Sequence, residues 1–243
     1  MGFKDDCISA VNNILTTPFD TRTGREVPTS VTVKQNDGGV YLSDAAYLYV
    51  DMADSTGMAT YFTPQEAARI IRAFLAAVCM VIRDRGGAIR SFDGDRVMAI
   101  FLGDDSADQA VDVAFRVTWA VRDVVHDRLI LEHETYSDNW VNGVWELRHR
   151  TGIDVGEAFV VRAGVRVDND LVSIGDPPNI AAKLSDFKKK GATTVITERV
   201  WDKLGFDSCY TEDPPKSKWS ESFFADIGGV TEEIRTSTWK RPY

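Results

Sequence analysis

The length and composition of the chain are those of a globular protein. It has 243 residues, of which 44% are hydrophobic and 27% are charged, with only 8 prolines and 18 glycines. This composition excludes a fibrous or disordered protein, and the length is sufficient for one domain with a full core. The net charge of −9 disfavours binding to nucleic acid or to an anionic membrane surface.

The cysteines and the distribution of apolar residues indicate a reducing compartment. Cys7, Cys79 and Cys209 are too few and too far apart for a disulfide framework or a zinc site. The first residues contain no apolar signal core, and no apolar run approaches the ~20 residues of a membrane span. We therefore expect a cytoplasmic protein that contacts neither nucleic acid nor membrane.

Helices and strands are predicted to alternate along the chain. Residues 1–44 contain a short helix followed by turn-forming residues, and we expect them to form a peripheral arm before a domain that spans 45–243. In that domain, Thr63 and Glu66 form a capping box with Pro64 at the first helical position. The predicted elements are, in chain order, a strand at Ala46–Asp51, a helix from Pro64 up to Gly86-Gly87, a hairpin of Ala88–Phe92 and Asp95–Phe101, a helix capped by Ser106, strands at Gly152–Val155 and Ala158–Val167, a helix from Pro177 to Phe187, a strand at Thr194–Thr197 and a helix at Glu198–Leu204.

Residues 126–150 have neither helical nor strand periodicity. They mix apolar, aromatic and charged residues, and Asn142-Gly143 is a pair typical of a hairpin turn. We expect this segment to be an inserted arm. Its tryptophans, Trp140 and Trp145, are equally compatible with an interface and with ordinary packing.

Two aspartates are candidates for a metal site that binds a nucleotide. Asp51 ends an apolar strand and precedes small residues whose backbone N–H groups could approach a phosphate. Asp95 follows the turn pair Asp93-Gly94, so a neighbouring strand could bring its carboxylate beside that of Asp51. Paired carboxylates near phosphate-binding amides are typical of Mg²⁺ or Mn²⁺ sites. Both aspartates could also simply terminate strands, because acidic residues are common at turns.

The order and spacing of three segments resemble the class III nucleotide cyclases, which convert nucleoside triphosphates to cyclic 3′,5′-monophosphates. The segments are LYVDMADSTGMA, GGAIRSFDGDRVMAIF and GIDVGEAFVVRAGV…LVSIGDPPNIAAKL. The resemblance implies an α+β, ferredoxin-like catalytic domain with an antiparallel-rich central sheet flanked by helices. It also implies a head-to-tail homodimer with active sites shared between the protomers.

The resemblance implies a ligand set and a ribose contact. Asp51 and Asp95 match the family's metal-binding aspartates, and the backbone carbonyl of Met52 matches its carbonyl ligand, for two Mn²⁺ or Mg²⁺ ions per site. Asn179 matches the asparagine that orients the ribose from the opposite protomer. Since Asn179 lies at a helix start, it could instead cap that helix locally.

Two cationic positions of the family are altered in this chain. Lys183 stands where the family has its transition-state arginine, and a lysine supplies charge without the bidentate fork. Either Lys183 substitutes for that arginine, or another cation such as Arg96 or Arg162 takes the role. The segment DIGGVTEEIR contains no lysine where relatives use one on the triphosphate.

The lysine cluster Lys188–Lys190 could steer a polyanionic substrate or could be an ordinary solvated group of charges.

The base-reading positions of the family are altered as well. Purine-selecting members have a lysine and a polar group where this chain has Ser91 and Val172. A pyrimidine is a smaller ring than a purine, so we expect the side chains of Tyr49 and Phe92 to narrow the base pocket. Arg96 is also expected to lie near the substrate. The chain therefore resembles the bacterial pyrimidine cyclases of anti-phage defence, with UTP slightly preferred to CTP as the expected substrate.

Two other functions are compatible with these residues. A catalytically dead cyclase-like module could bind nucleotide and regulate a partner, but such a module would not need Asp51, Asp95 and Asn179 together. A guanylate or adenylate cyclase with a rebuilt pocket is also possible if Arg90 or Asp93 reaches the base. For an active enzyme, the expected partners are a nucleoside triphosphate, a second copy of the chain, and a separate cyclic-nucleotide effector that is not contacted directly.

Overall fold

The computed structural model describes residues 2–164 and 169–243. The strands of this part of the chain are β1 (Asp20–Thr23), β2 (Gly38–Ala53), β3 (Ala88–Asp93), β4 (Arg96–Phe101), β5 (Arg148–Gly164), β6 (Asn169–Ile174), β7 (Thr194–Thr197), β8 (Phe223–Asp226) and β9 (Thr231–Ser237). The α-helices are α1 (Phe3–Thr16), α2 (Met58–Tyr61), α3 (Pro64–Asp84), α4 (Ser106–Trp119), α5 (His126–Glu132), α6 (Glu134–Val141), α7 (Asp176–Leu184), α8 (Glu198–Trp201) and α9 (Phe206–Cys209).

All strands belong to one sheet, whose main path is β3-β4-β2-β5-β7-β9-β8. β1 pairs with β2, and β6 pairs with β5, outside this path. In the described part of the chain only β1–β2 and β5–β7 are parallel pairs. The predicted α+β architecture, an antiparallel-rich sheet flanked by helices, is confirmed. Among the described helices, none is long and apolar enough to span a membrane.

One face of the sheet is covered by α3 and α4. Leu48 and Val50 of β2 are buried there against Phe74 of α3 and Phe115 of α4. Full burial of each such side chain contributes roughly 1.5–3 kcal/mol. The predicted capping box fixes the start of α3, because Thr63 N donates to Glu66 Oε2 at 2.8 Å and Glu66 N donates to Thr63 Oγ1 at 3.4 Å.

The opposite face of the sheet is covered over only part of its area. Tyr47 and Met98 are buried there in one cluster with Ala181 of α7. Close packing of α7 depends on Gly152 of β5, where an added Cβ would lie 2.2 Å from the carbonyl oxygen of Ala181. Side chains further along β2 on this face, such as Tyr49, are only half-buried. This partly open surface leads to the candidate site.

The strands β2 and β5 are longer than the sequence predicts. The strand expected at Ala46–Asp51 begins at Gly38, so the last residues of the expected arm are part of the sheet. A bulge between Leu42 and Ala45 interrupts the alternation of side chains. The strands expected at Gly152–Val155 and Ala158–Val167 form the single strand β5, and the end of the second prediction lies outside the described residues.

The prediction of a hairpin in residues 126–150 is wrong. These residues form α5 and α6 and then enter β5, and Tyr136 and Trp145 are buried in the main core. The Trp145 and Phe62 ring centroids are 5.3 Å apart, and Tyr136 Oη accepts a hydrogen bond from Leu147 N at 3.0 Å. The segment is therefore not a protruding arm. Tertiary aromatic packing, which has no fixed sequence period, determines its structure.

A π-helical turn, Ala120–Val125, joins α4 to α5 in one continuous helix.

The start of α4 differs from the prediction, because Ser106 is the first helical residue and does not cap the helix. Its hydroxyl instead donates to the carbonyl oxygen of Asp44 at 2.9 Å. This bond gives the Asp44 carbonyl a hydrogen-bond donor at the β2 bulge, where Asp44 has a φ of 52°.

Candidate active site

A cleft of about 1260 Å³ lies where β2 ends and the segment 53–56 begins. Asp51 and Asp95 both line this cleft, together with the backbone around Met52. The small residues after β2 form a 3₁₀ turn, Ser55–Gly57, before the short helix α2. The rest of the wall comes from the π-helical turn, the start of β5 and the loop after α7, including Arg122, Asp123, His126, Arg148, His149, Arg150, Asp186 and Lys188–Lys190.

Asp51 lies at the end of β2 on the partly open face. Burial, and next the charge of Asp95, raise the pKa of Asp51 to about 6, while Arg96 acts in the opposite direction. The backbone N–H of Met52 also acts to lower the pKa of Asp51, but less than burial and Asp95 raise it. The Asp51 carboxyl group is thus destabilised as an anion by lost hydration and a second acid.

Asp95 belongs to the hairpin loop between β3 and β4. Because Asp93 pairs with Arg96, the two loop residues are Gly94 and Asp95, one position later than the predicted turn. Gly94 takes a left-handed φ of 61°, which suits glycine in a two-residue hairpin. The Oδ2 atom of Asp95 is buried and has no hydrogen-bond partner among the residues that the structure describes.

These two carboxylates fit a divalent cation. A buried carboxylate oxygen without a donor and a neighbouring acid of raised pKa are both relieved by positive charge between them. The described residues contain no cluster of three His, Cys, Asp or Glu side chains suited to a metal ion. The pair Asp51 and Asp95 would therefore need backbone and substrate oxygens to complete a coordination shell.

Arg150 is a cleft residue that the sequence analysis missed. It lies on β5 directly opposite Asp51 of β2. Its Nε is buried without a hydrogen-bond partner in the described part of the chain, and its Nη2 donates to the carbonyl oxygen of Lys189 at 3.2 Å. Burial lowers the pKa of Arg150, and Asp186 and Asp51 partly offset that effect. In the sequence Arg150 is an ordinary strand residue. Only the pairing of β5 with β2 shows that it lies opposite Asp51.

Asn179 and Lys183 lie together on α7 and are not among the residues that line the cleft. Both side chains are exposed. Asn179 Nδ2 donates to the carbonyl oxygen of Gly175 at 2.8 Å, so Asn179 makes a local contact but does not cap the helix, because a cap accepts from a backbone N–H. Lys183 Nζ donates to the carbonyl oxygen of Gly228 at 3.2 Å. A single chain therefore does not bring these two side chains to Asp51 and Asp95.

Most of the predicted base-reading residues lie on neighbouring strands. Ser91 of β3 and Tyr49 of β2 both pair with Met98 of β4, so they share one row across the sheet. The guanidinium of Arg96 lies 5.7 Å from the centroid of the Tyr49 ring, and its Nη2 contacts Asp93 at 2.7 Å.

Three further candidates are placed differently. Phe92 is 56% exposed, and Val172 of β6 is 44% exposed and pairs with Val161, not with the Ser91 row. The alternative cation Arg162 donates to Asn169 Oδ1 at 2.6 Å.

Comparison with solved structures defines the class of the fold. The structure of the guanylyl cyclase Cya2 matches with a TM-score of 0.65 at 18% identity, over 82% of this chain and 96% of that one. The adenylyl cyclase CyaB from P. aeruginosa matches with a TM-score of 0.61 at 16% identity, over 84% and 97% of the two chains. The fold is that of a class III nucleotide cyclase domain.

Comparison with curated sequences identifies the family. No family model matches the chain. A uridylate cyclase of Rhodovulum sp. (strain MB263) is 35% identical over 242 residues, which are 100% of this chain and 99% of the relative. Uridylate cyclases of Burkholderia cepacia and Xanthomonas perforans are 33% and 30% identical, each over 99% of this chain and over 99% and 98% of their own lengths. The chain belongs to the uridylate cyclase family.

Proposed function

We propose that the protein converts UTP to uridine 3′,5′-cyclic monophosphate and pyrophosphate. The observation that carries this proposal is the similarity along the whole chain to three uridylate cyclases, at 30–35% identity. The cleft supports it with two adjacent carboxylates, Asp51 and Asp95, and with a half-buried cation at Arg150. Carboxylates that can hold divalent cations and a cation near the phosphates both suit cyclisation of a triphosphate.

In this proposal Asp51, Asp95 and the Met52 carbonyl would hold two Mg²⁺ or Mn²⁺ ions. When bound, such ions lower the pKa of the ribose 3′-hydroxyl and neutralise the departing pyrophosphate. The 3′-hydroxyl loses its proton to solvent, its oxygen attacks the α-phosphorus, the bond from that phosphorus to the bridging oxygen breaks, and pyrophosphate leaves. Arg150 lines the cleft wall and supplies positive charge to the phosphate oxygens.

The remaining groups of the reaction come from α7 of a second copy. Asn179 orients the ribose and Lys183 supplies positive charge to the transition state, each acting on the cleft of the partner. Support comes from the absence of both side chains from the lining of the cleft in one chain and from their exposure. The enzyme is therefore proposed to be a C₂ homodimer with two shared sites.

The base is proposed to be a pyrimidine, with UTP ahead of CTP. Ser91 and Val172 offer no lysine or carboxylate to a purine edge, and an unpaired base-edge group in a buried pocket costs about 1–3 kcal/mol. Tyr49, with Arg96 against its ring, supplies bulk near the Ser91 row. Discrimination by such contacts reaches ~10⁴-fold when a required partner is missing.

We also propose that the cyclic product is a second messenger in anti-phage defence. The resemblance to bacterial anti-phage cyclases supports this role. A separate effector protein would bind the product without contacting the enzyme. Phage plating on cells that carry the enzyme and its genomic neighbours, compared with cells that carry an Asp51→Asn variant, tests it. Equal plating efficiency would contradict it.

The experiment that tests the substrate is a competition among nucleotides. Purified protein is incubated with equimolar ATP, GTP, CTP and UTP and with Mn²⁺, and the products are quantified by mass spectrometry. Cyclic UMP is expected as the main product, with cyclic CMP second. Preferential formation of cyclic AMP or cyclic GMP would overturn the pyrimidine assignment. No cyclic product from any nucleotide would favour the nucleotide-binding module instead.

A further inference from the structure

The side chain of Lys183 lies against the hairpin loop between β8 and β9. Its Nζ donates to the carbonyl oxygen of Gly228 at 3.2 Å. The loop itself is held by two further hydrogen bonds, from Gly229 N to Asp226 Oδ1 at 2.9 Å and from Ile227 N to the carbonyl oxygen of Val230 at 2.7 Å. The ammonium of Lys183 thus contacts a loop with its own internal support.

The loop is anchored to α7 next to this contact. Ile227 is only 2% exposed and packs in one cluster with Ile180 and Leu184 of α7 and Ile234 of β9. Ile180 and Leu184 flank Lys183 on the helix. Because Ile227, the residue before Gly228, packs against the helix that carries Lys183, the carbonyl of Gly228 has a fixed position relative to the backbone of Lys183.

Gly228 leaves room for the lysine. Its φ is 64°, and a Cβ at this position would lie 2.7 Å from Cδ and Cε of Lys183 and 2.9 Å from its Nζ. The next residue, Gly229, is also left-handed at 89°, but a Cβ there would meet nothing within 4 Å. The two glycines have similar backbone strain for a substitution, whereas only Gly228 touches Lys183.

A lysine at this position needs such a support more than an arginine would. The ammonium is a point charge on a flexible four-carbon stem, whereas the guanidinium is a planar fork that fixes its own direction to a phosphate. A backbone carbonyl engages one of the three ammonium N–H donors and leaves two for an anion. A held ammonium also loses less side-chain freedom when it meets that anion.

We propose that Gly228 is a positioning residue for the reaction: its carbonyl holds the ammonium of Lys183 in the direction that an arginine fork would otherwise supply. This inference rests on the proposed function and on the role of Lys183 in it. The side chain that touches substrate is Lys183, and Gly228 acts only through it.

The test compares Gly228→Ala with the matched control Gly229→Ala. A methyl group at residue 228 displaces the flexible end of Lys183 while the fold is kept, as thermal unfolding and oligomeric state verify. We expect kcat for cyclic UMP formation to fall on the order of 10- to 100-fold in Gly228→Ala, with KM within a few-fold of wild type. In Gly229→Ala, kcat is expected to stay within a few-fold of wild type.

A double-mutant cycle with Lys183→Ala separates positioning from a general defect. Once Lys183 is absent, Gly228→Ala should reduce kcat no further, because the residue has nothing left to position. Equal losses in Gly228→Ala and Gly229→Ala, or additive losses in the double variant, would overturn the inference.

A readout independent of turnover is the reactivity of Lys183 toward an acylating reagent, measured by peptide mass spectrometry. Labelling should rise in Gly228→Ala and not in Gly229→Ala, because the contact with the carbonyl is lost only in the first. Unchanged labelling would overturn the hold on Lys183 even in an active enzyme. Lack of turnover in the wild-type protein would overturn the proposed function, and the labelling comparison would still decide whether the contact exists.

Discussion

Replacement of Arg150 by methionine tests whether the cleft wall binds the triphosphate. Methionine keeps much of the length and packing of the stem and removes the charge. Each lost hydrogen bond from the guanidinium to a charged phosphate is worth about 1.5–3 kcal/mol. If one such bond is lost, about 1.5–3 kcal/mol of binding disappears, which lowers kcat/KM by roughly 10- to 150-fold.

The same substitution should leave the fold stable. In the free protein Arg150 makes one hydrogen bond to the Lys189 carbonyl, and its Nε has no partner among the described residues. Removal of that bond costs about 1 kcal/mol, and removal of a partly buried guanidinium offsets some of it. We therefore expect a change in Tm of only a few degrees.

Steady-state kinetics with UTP and Mn²⁺, together with thermal unfolding of the free enzyme, measure both effects. Arg148→Met is the matched control, because Arg148 lines the same cleft but its side chain is 61% exposed and lies 3.7 Å from Glu146. The control should change kcat/KM only a few-fold. Wild-type kcat/KM in Arg150→Met, or equal losses in the two variants, would refute the role of Arg150.

Further predictions concern the metal site, the shared site and the pH dependence of stability. Asp51→Asn and Asp95→Asn should each abolish cyclic UMP formation without loss of fold, since each removes a ligand charge; turnover at the wild-type rate in a folded variant would contradict the metal assignment. Co-expression of Asp51→Ala and Asn179→Ala chains should restore part of the activity that each lacks alone, because one mixed dimer contains an intact site; mixed dimers without activity would argue against sharing. The pKa of the fully buried His149 is lowered to about 3, first by burial and next by Arg122 and Arg150. Because the unfolded chain takes up a proton near pH 6.5 and the folded protein does not, stability should fall as pH drops from about 6.5 toward 3, by about 2 kcal/mol at pH 5. Chemical denaturation of wild type and of His149→Gln at pH 7 and pH 5 measures this; an equal pH effect in both proteins would refute it.

Local sequence rules were sufficient for some elements of the fold. The start of α3 follows from Thr63, Pro64 and Glu66, and the β3–β4 hairpin follows from its glycine and flanking strands. The proximity of Asp51 and Asp95 was also predictable, because Asp51 is near the end of β2 and Asp95 is in the hairpin loop before the neighbouring strand β4. These features depend on residues close together in sequence or on a resemblance to a family.

Other features depend on contacts between distant residues, and the sequence does not reveal them. The helices of residues 126–150 form around Tyr136 and Trp145, whose burial depends on Phe62 of another segment. The contact of Lys183 with Gly228 depends on how the β8–β9 hairpin docks on α7. The periodicity of apolar residues predicts which face of a helix or strand is buried. It does not predict which distant residues of the chain pack against that face.

The π-helical turn at Ala120–Val125 should make this helix tolerant of a change of one residue in its length. One residue added to an ordinary α-helix rotates every later side chain by about 100°, since a turn holds 3.6 residues. A wide turn absorbs the added residue locally. Val117 before the turn and Leu129 after it accordingly both face the main core. A chain shortened by one residue here should therefore keep its fold, whereas the side chains that it presents to the cleft wall at Arg122 and His126 would change.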